Sequence, residues 1–290
     1  MLNPDAENYQ VVLQEDHAIS LSVIIPASNE AGYIGACLTA LFASGPRRAE
    51  AIVVANGCRD ATAQVAQDMA GRAQAAGWQL VVLDLAQGGK PNALNAGDLV
   101  AQGDLRVYLD ADVIVSRGLM AELVAALATD QPRYASGTAH IPRARSPVTR
   151  AYARFWRRLP FARSTAPGFG LFAVNAAGRA RWGAFPAIIS DDTFVRLQFQ
   201  PAERVQVAAR YDWPMIEGFA ALTKVRRRQD AGVVEIESLY PGLLAREGKA
   251  RLGKAAFLAM ALRDPLGFAT YAAVSLAVRS GKSGGWVRGR

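Results

Sequence analysis

The sequence predicts an α/β fold: a mixed, mainly parallel sheet flanked by helices, with a helical C-terminal extension. Three observations carry this. Short apolar runs alternate with segments whose apolar residues recur at helical spacing, the pattern of right-handed βαβ units. The 290 residues suffice to bury a full core in one large domain, or in one domain with an appendage. Beyond Gly242 the chain turns basic and then apolar, which sets the last part apart from the rest.

Taken in order, Leu21 to Pro26 is an apolar run ending in a turn, and Ile34, Cys37, Leu38 and Leu41 follow at helical spacing. Ala51 to Ala55 reads as a second buried strand. Asp60 is placed to cap a helix whose Val65, Met69 and Ala73 share a face, and Leu80 to Leu83 forms a third strand. After the Gly88-Gly89 turn a helix starts near Pro91 and leads to a fourth strand, Leu105 to Leu109. Ligands of such sheets bind beyond the carboxyl ends of the strands, so Pro26, Ala55, Asp84 and Asp110 fall on one rim. Ser116 is placed to cap a helix bearing Leu119, Leu123 and Leu127, and Tyr134 to Ala139 reads as another strand.

The net charge of +8 is spread unevenly. Between Asp130 and Asp191 there is no Asp or Glu, whereas ten arginines lie between Arg133 and Arg181 and supply the whole positive excess. Such a face attracts lipid headgroups or pyrophosphate-linked acceptors; the alternative is a solvated, arginine-rich surface. Nucleic acid is disfavoured, because no recognition motif accompanies the charge. Within this stretch Ser146 to Leu159 reads as a helix with Tyr152, Phe155, Trp156 and Leu159 near one face and arginines beside them. Either it lies on an anionic membrane surface, or its aromatics pack on the domain.

The C-terminal region carries Arg246, Lys249, Arg251 and Lys254, then apolar residues over Ala255–Leu262 and Leu266–Val278, interrupted by Arg263, Asp264 and Pro265. This falls short of the roughly 20 apolar residues of a membrane span. The first twenty residues, with Asp5, Glu7, Glu15 and Asp16, do not read as a secretory signal. Cys37 and Cys58 make no Cys-x-x-Cys motif, and His17 and His140 have no partners at metal-ligand spacing. Together these point to the cytoplasm, or to a peripheral place on the inner face of the membrane. The tail from Ser280 is rich in Gly, Ser and Arg and reads as frayed.

Directly after the fourth strand stands Asp110-Ala111-Asp112, two carboxylates one residue apart. Oxygen ligands of this kind suit Mg²⁺ or Mn²⁺, which bind one or two carboxylates and leave other positions to water and substrate phosphates. An acidic turn after a strand is common, so the motif gains meaning only with its companions. Ser22-Val23-Ile24-Ile25-Pro26-Ala27-Ser28-Asn29-Glu30 forms a strand and turn; Ile52 to Thr62 includes Ala55-Asn56-Gly57; Gly89-Lys90-Pro91-Asn92-Ala93-Leu94-Asn95-Ala96-Gly97 precedes the acidic pair; and Ser190-Asp191-Asp192-Thr193 follows later. In order and spacing these segments resemble the family 2 glycosyltransferases, over roughly residues 21 to 230.

That resemblance implies a glycosyltransferase-A fold and transfer of a sugar from a nucleotide-sugar donor to a hydroxyl acceptor. It marks 21–230 as a catalytic domain, leaving an N-terminal segment (1–20) and a helical region (231–290) whose basic and apolar composition is compatible with peripheral membrane contact. Within the catalytic domain, 21–115 would bind nucleotide sugar and 116–230 the acceptor. Donor-binding residues would be Pro26, Ala27, Asn29, Glu30, Asn56, Lys90, Asn95, Asp110 and Ala111. Asp112 would be the principal metal ligand, with Asp110 beside it. Asp192 would act as base and Asp191, in place of the usual Glu, would stand next to it; the pair can equally cap the helix bearing Val195, Leu197 and Phe199. One displacement with a carboxylate base inverts the anomeric carbon. Gly168-Phe169-Gly170 would form the acceptor-side loop, and Arg227 or a neighbour would close on the pyrophosphate.

Two departures from the family pattern stand out. Ala55-Asn56 occupies the place of an acidic pair that accepts from the nucleoside base, which leaves the nucleotide open. No Gln-x-x-Arg-Trp follows Lys224, which disfavours a processive synthase. A sugar-phosphate nucleotidyltransferase would need a glycine-rich loop after the first strand, and no glycine appears there before Gly32. A non-catalytic scaffold in polysaccharide assembly is the remaining alternative.

Overall fold

A computed structural model of the chain describes residues 20–280 except 47, 249 and 251. The N-terminal segment before Ser20, His17, Lys249, Arg251 and the tail after Ser280 lie outside the described residues.

The first half alternates strands and helices: β1 (Leu21–Ala27), α1 (Ile34–Phe42), β2 (Ala49–Asn56), α2 (Thr62–Gln67), α3 (Ala70–Ala75), β3 (Trp78–Leu85), α4 (Lys90–Val100) and β4 (Leu105–Leu109). These strands lie parallel in the order β3-β2-β1-β4. β1 is central, so alternate side chains bury on opposite faces: Val23 and Ile25 pack with α1, while Ile24 packs with Leu94 of α4. Helices on both faces thus explain why β1 and β2 read as unbroken apolar runs.

The second half adds β5 (Ile114–Val115), α5 (Leu119–Leu127), β6 (Tyr134–His140), α6 (Pro147–Trp156), β7 (Leu171–Val174), α7 (Ala176–Arg179), α8 (Asp191–Arg196), β8 (Arg204–Asp212), α9 (Phe219–Leu239), α10 (Lys254–Arg263) and α11 (Pro265–Ser280). β7 joins β4 in antiparallel sense and completes an eight-stranded mixed sheet, β3-β2-β1-β4-β7-β6-β8-β5. Parallel pairs continue with β6 and β8, while β6–β7 and β5–β8 are antiparallel.

Several expectations change. The helix after Asp60 is broken in two, because the Met69 N–H reaches back only to Ala66, a turn tighter than an α-helix. Ser116 does not cap α5: Gly118, at φ +80°, precedes the helix, and the Ser116 hydroxyl accepts from Arg210 N–H at 3.1 Å. Ser146 does cap α6, accepting from Thr149 N–H at 3.4 Å. The domain boundary expected at 230 falls inside the continuous α9.

The aromatics of α6 face inward. Tyr152 stacks on Tyr271 at 5.7 Å, Phe155 contacts Phe257, Phe268 and Tyr271, and Trp156 meets Phe169 and Trp213. Packing on the domain therefore replaces the reading of α6 as a helix lying on a membrane. Arg154 on the same helix holds the buried Asp264 through two hydrogen bonds of 2.7 and 2.6 Å, which draw that carboxyl below its usual pKa. The residue that interrupts the C-terminal apolar stretch is thus the anchor joining α10 and α11 to α6. Among the described residues, no helix is long and apolar enough to cross a membrane.

Candidate active site

The carboxyl ends of β1, β2 and β4 open onto a cleft of about 1040 Å³. Pro26, Asn29 and Glu30 after β1, Asn56 of β2, Lys90 at the start of α4, and Asp110, Ala111 and Asp112 after β4 all line it. Backbone bonds fix the acidic turn: Asp110 N–H donates to Gly170 O at 2.9 Å, and Val113 N–H returns to Asp110 O at 3.1 Å. The β1 turn is stitched to the loop after β2. Asn29, at φ +54°, accepts Arg59 N–H at 2.6 Å, and Glu30 N–H donates to Thr62 Oγ1 at 2.8 Å.

Lys90 is the hub of the charges. Its Nζ lies 3.0 Å from Asp110 Oδ1 and 3.2 Å from Asp191 Oδ2. Burial works against this ammonium, but Asp110, Asp191 and Asp192 outweigh it and hold its pKa above the usual lysine value. Asp191 is buried; that burial pushes its carboxyl up to about 6 against the pull of Lys90, with Asp192 and Asp110 adding to the rise. Asp192, half-buried, accepts Thr193 N–H on Oδ1 at 2.6 Å, and its Oδ2 takes no hydrogen bond among the described residues.

Asp191 and Asp192 do not line the large cleft. They floor an adjoining hollow of about 10 Å³ with Gly168 and Gly170, and the two spaces share Pro26, Lys90 and Asp110. Both glycines are required where they stand. Gly168 has φ +78° and a Cβ there would lie 1.8 Å from Tyr134 Oη; Gly170 has φ +75° and a Cβ would lie 2.6 Å from Trp213 Cδ1. Phe169 between them is buried against Trp156 and Trp213, and its carbonyl accepts from Tyr211 Oη at 3.0 Å.

Four expected residues are placed differently. Ala27 is buried, its carbonyl accepting from Asn56 Nδ2 at 2.9 Å. Asn56 lines the cleft, yet its amide is engaged with backbone: Nδ2 also reaches Val54 O at 3.3 Å, and Oδ1 accepts Gly89 N–H at 3.0 Å. Asn95 is not a lining residue; its amide pairs with both backbone groups of Phe185, at 2.7 and 3.0 Å. Arg227 points to α11, donating to Ala277 O at 2.9 Å, whereas Arg226 and Arg228 line the cleft. Sequence reasoning also missed Arg59, Tyr152, Trp156 and Trp213 as cleft walls. Trp213 carries no motif, and only the end of β8 brings it there. His140, expected without a metal role, is exposed and pairs with Asp212 at 2.7 Å.

No group of three or more His, Cys, Asp or Glu able to hold a metal occurs among the described residues. The donor set is nonetheless of the right chemistry for a hard cation. It consists of carboxylate oxygens, since burial and the nearby Asp112 and Asp110 push the Cys37 thiol well up and keep it protonated. One or two carboxylates suffice where phosphates and water complete the shell.

The Glycosyl transferase family 2 model matches residues 22–180, more than half of the chain. The chain belongs to glycosyl transferase family 2. The match covers β1 to β4 and the acidic turn of this glycosyltransferase and ends before Asp191. Comparison with curated proteins finds no match. Among solved structures, the glycosyltransferase is similar to the mannosyltransferase PcManGT from Pyrobaculum calidifontis in complex with GDP-Man and Mn²⁺. Identity is 20%, coverage 92% of this chain and 77% of that one, and the TM-score 0.57. It is also similar to S. aureus TarS 1-349 in complex with UDP, at 15% identity, 91% and 92% coverage and a TM-score of 0.53. The TarS 1-349 complex with UDP-GlcNAc matches at 17% identity, 89% and 81% coverage and a TM-score of 0.52. These likenesses establish the glycosyltransferase-A fold.

Proposed function

We infer that this glycosyltransferase moves a sugar from a nucleotide-sugar donor to a hydroxyl acceptor with inversion, that the reaction depends on Mg²⁺ or Mn²⁺, and that the acceptor is lipid-linked. The observation that carries this reading is the bridge from Asp110 through Lys90 to Asp191, which sets an acidic turn at the strand ends beside a second acidic pair. Neighbours in complex with GDP-Man and with UDP-GlcNAc support a nucleotide-sugar donor.

Following the family resemblance, Asp112 would be the principal ligand of the cation, with Asp110, which also pairs with Lys90, beside it. When bound, the cation stabilises the charge that develops on the departing pyrophosphate. Lys90 and Arg228 add fixed positive charge along the same cleft. The bond from the anomeric carbon to the donor phosphate breaks as the bond to the acceptor oxygen forms, and the hydroxyl proton passes to Asp192 Oδ2. Asp191 is ill suited to that step, being buried and committed to Lys90; its part is to hold Lys90 in place. Trp156 and Trp213, both half-buried, offer aromatic faces for a sugar ring. The arginine excess between 131 and 190 supports an anionic, lipid-linked acceptor.

The test is titration with a panel of nucleotide sugars, with and without Mn²⁺, on wild type, Asp112→Ala and Asp192→Asn. Metal-dependent donor binding should be lost in Asp112→Ala, and Asp192→Asn should keep donor binding but lose transfer. Unchanged metal dependence in the first variant, or loss of donor binding in the second, overturns the corresponding role.

A further inference from the structure

A second cavity, of about 640 Å³, shares no lining residue with the donor cleft or the catalytic hollow. The loop before Gly168 and the far end of α8 form part of its wall. Arg158, Arg163, Arg196, Arg204 and Arg263 line it, and Glu247 is the one carboxylate among its described lining residues.

The charges are far from balanced. Arg196 and Arg204 are 2% and 5% exposed. Glu247 makes a direct ion pair with the first alone, at 2.8 Å from Arg196 Nη1, and acts on Arg204 only at longer range. Arg204 is held by the carbonyls of Phe199, Arg246 and Glu247, and its Nε has no acceptor among the described residues. Burial, and then the charge of Arg196, pull the Arg204 guanidinium down to about 10. Arg158 shares Asp264 with Arg154 at 3.6 Å, while Arg163 and Arg263 have no ion-pair partner among the described residues. Two buried cations that share one carboxylate within the cavity are costly, and an anion there would relieve that cost.

The opposite wall has a different character. α10 contributes Ala256, Ala259 and Met260 to the cavity. Its outer face leaves Leu258 60% and Leu262 74% exposed. A free inorganic anion would use the arginines and leave this apolar wall idle.

We propose that this cavity binds the phosphate headgroup of an amphiphile, with the arginines on the phosphate and the hydrocarbon chain lying along α10. Guanidinium groups bind phosphate oxygens through charge-assisted hydrogen bonds. The site is separate from the donor cleft, so failure of either assignment leaves the other standing.

The test titrates the full chain, by calorimetry, with monomeric dihexanoyl phosphatidic acid, with inorganic phosphate and with dihexanoyl phosphatidylcholine. Phosphatidic acid should bind about tenfold or more tightly than either comparison ligand. Arg163→Glu combined with Arg263→Glu should weaken it by about tenfold or more. Both arginines are exposed, and thermal melts check that the double variant is folded. Asp112→Ala should leave this binding unchanged. Equal binding of phosphatidylcholine or of inorganic phosphate, an unaffected double variant, or loss of binding in Asp112→Ala overturns the assignment.

Discussion

Lys90 Nζ lies 3.2 Å from Asp191 Oδ2 and so ties the first turn of α4 to the first turn of α8. This contact joins a residue of the parallel strand-helix half to one contributed by the second half of the chain. It does not fully compensate the burial of Asp191, whose carboxyl is pushed up to about 6 from its ordinary 3.8.

A dependence of stability on pH follows. Between about 4 and about 6 the unfolded chain has released this proton while the folded chain retains it, so stability contributed at Asp191 falls as pH rises through that window and is constant above it. Relative to Asp191→Asn, the wild type should lose about 2 kcal/mol across the window. Urea melts of both proteins at pH 4, 5, 6 and 7, without divalent metal, measure the difference. A difference that does not vary with pH sinks the assignment.

Asn56 stands where family members carry an acidic residue, and its hydrogen bonds give a reason. Its Nδ2 donates to Ala27 O and Val54 O, at 2.9 and 3.3 Å. Aspartate would keep the acceptor for Gly89 but would set a carboxylate oxygen against those carbonyls. Asn56→Asp should therefore destabilise the fold by about 2 kcal/mol and leave UDP and GDP affinities no tighter than wild type. Thermal melts and nucleotide titrations check both. Tighter nucleotide binding at full stability would return Asn56 to base recognition.

Gly168 and Tyr134 form a second coupled pair. The Tyr134 hydroxyl is buried with no hydrogen-bond partner among the described residues and occupies the space in which a Gly168 Cβ would sit. Gly168→Ala combines this clash with a positive φ and should cost more than about 2 kcal/mol. Tyr134→Phe alone should be close to neutral, since it removes an unsatisfied group, and it should recover part of the Gly168→Ala loss in a double-mutant cycle. Strict additivity in urea melts would show that the hydroxyl is not the obstacle.

How much of this was legible in the sequence differed by element. β1 to β4 were legible because strands covered on both faces are continuous apolar runs, and parallel pairing then fixed which ends share a rim. β7 has four residues and β5 two, and antiparallel partners distant in sequence define both. α6 shows the limit of periodicity: it revealed an aromatic face but not what covers it, and only the fold brings Tyr271 and Phe268 there. The Asp pairs and Lys90 were legible as motifs. Trp213 was not, since nothing in the local sequence marks a residue that reaches a cleft through the end of an unrelated element; Arg59 and Trp156 stood in segments already singled out, but nothing there marked them as cleft walls.

Arg227 and Arg228 make the same point at the scale of one residue. A step of one position turns about 100° around a helix of 3.6 residues per turn, enough to send neighbouring arginines of α9 to different surroundings. Arg227 donates to Ala277 O near the end of α11 at 2.9 Å, so it serves the docking of that helix. Arg228 lines the large cleft and has no hydrogen-bond or ion-pair partner among the described residues. Arg228→Ala should raise the donor KM about tenfold, the cost of one charge-assisted contact to phosphate, with an unchanged melting temperature. Arg227→Ala should lower the melting temperature by a few degrees, as loss of about 1 kcal/mol does, and leave KM near wild type. Kinetics and thermal melts of the two variants side by side decide the matter, and the reverse pattern would give the pyrophosphate back to Arg227.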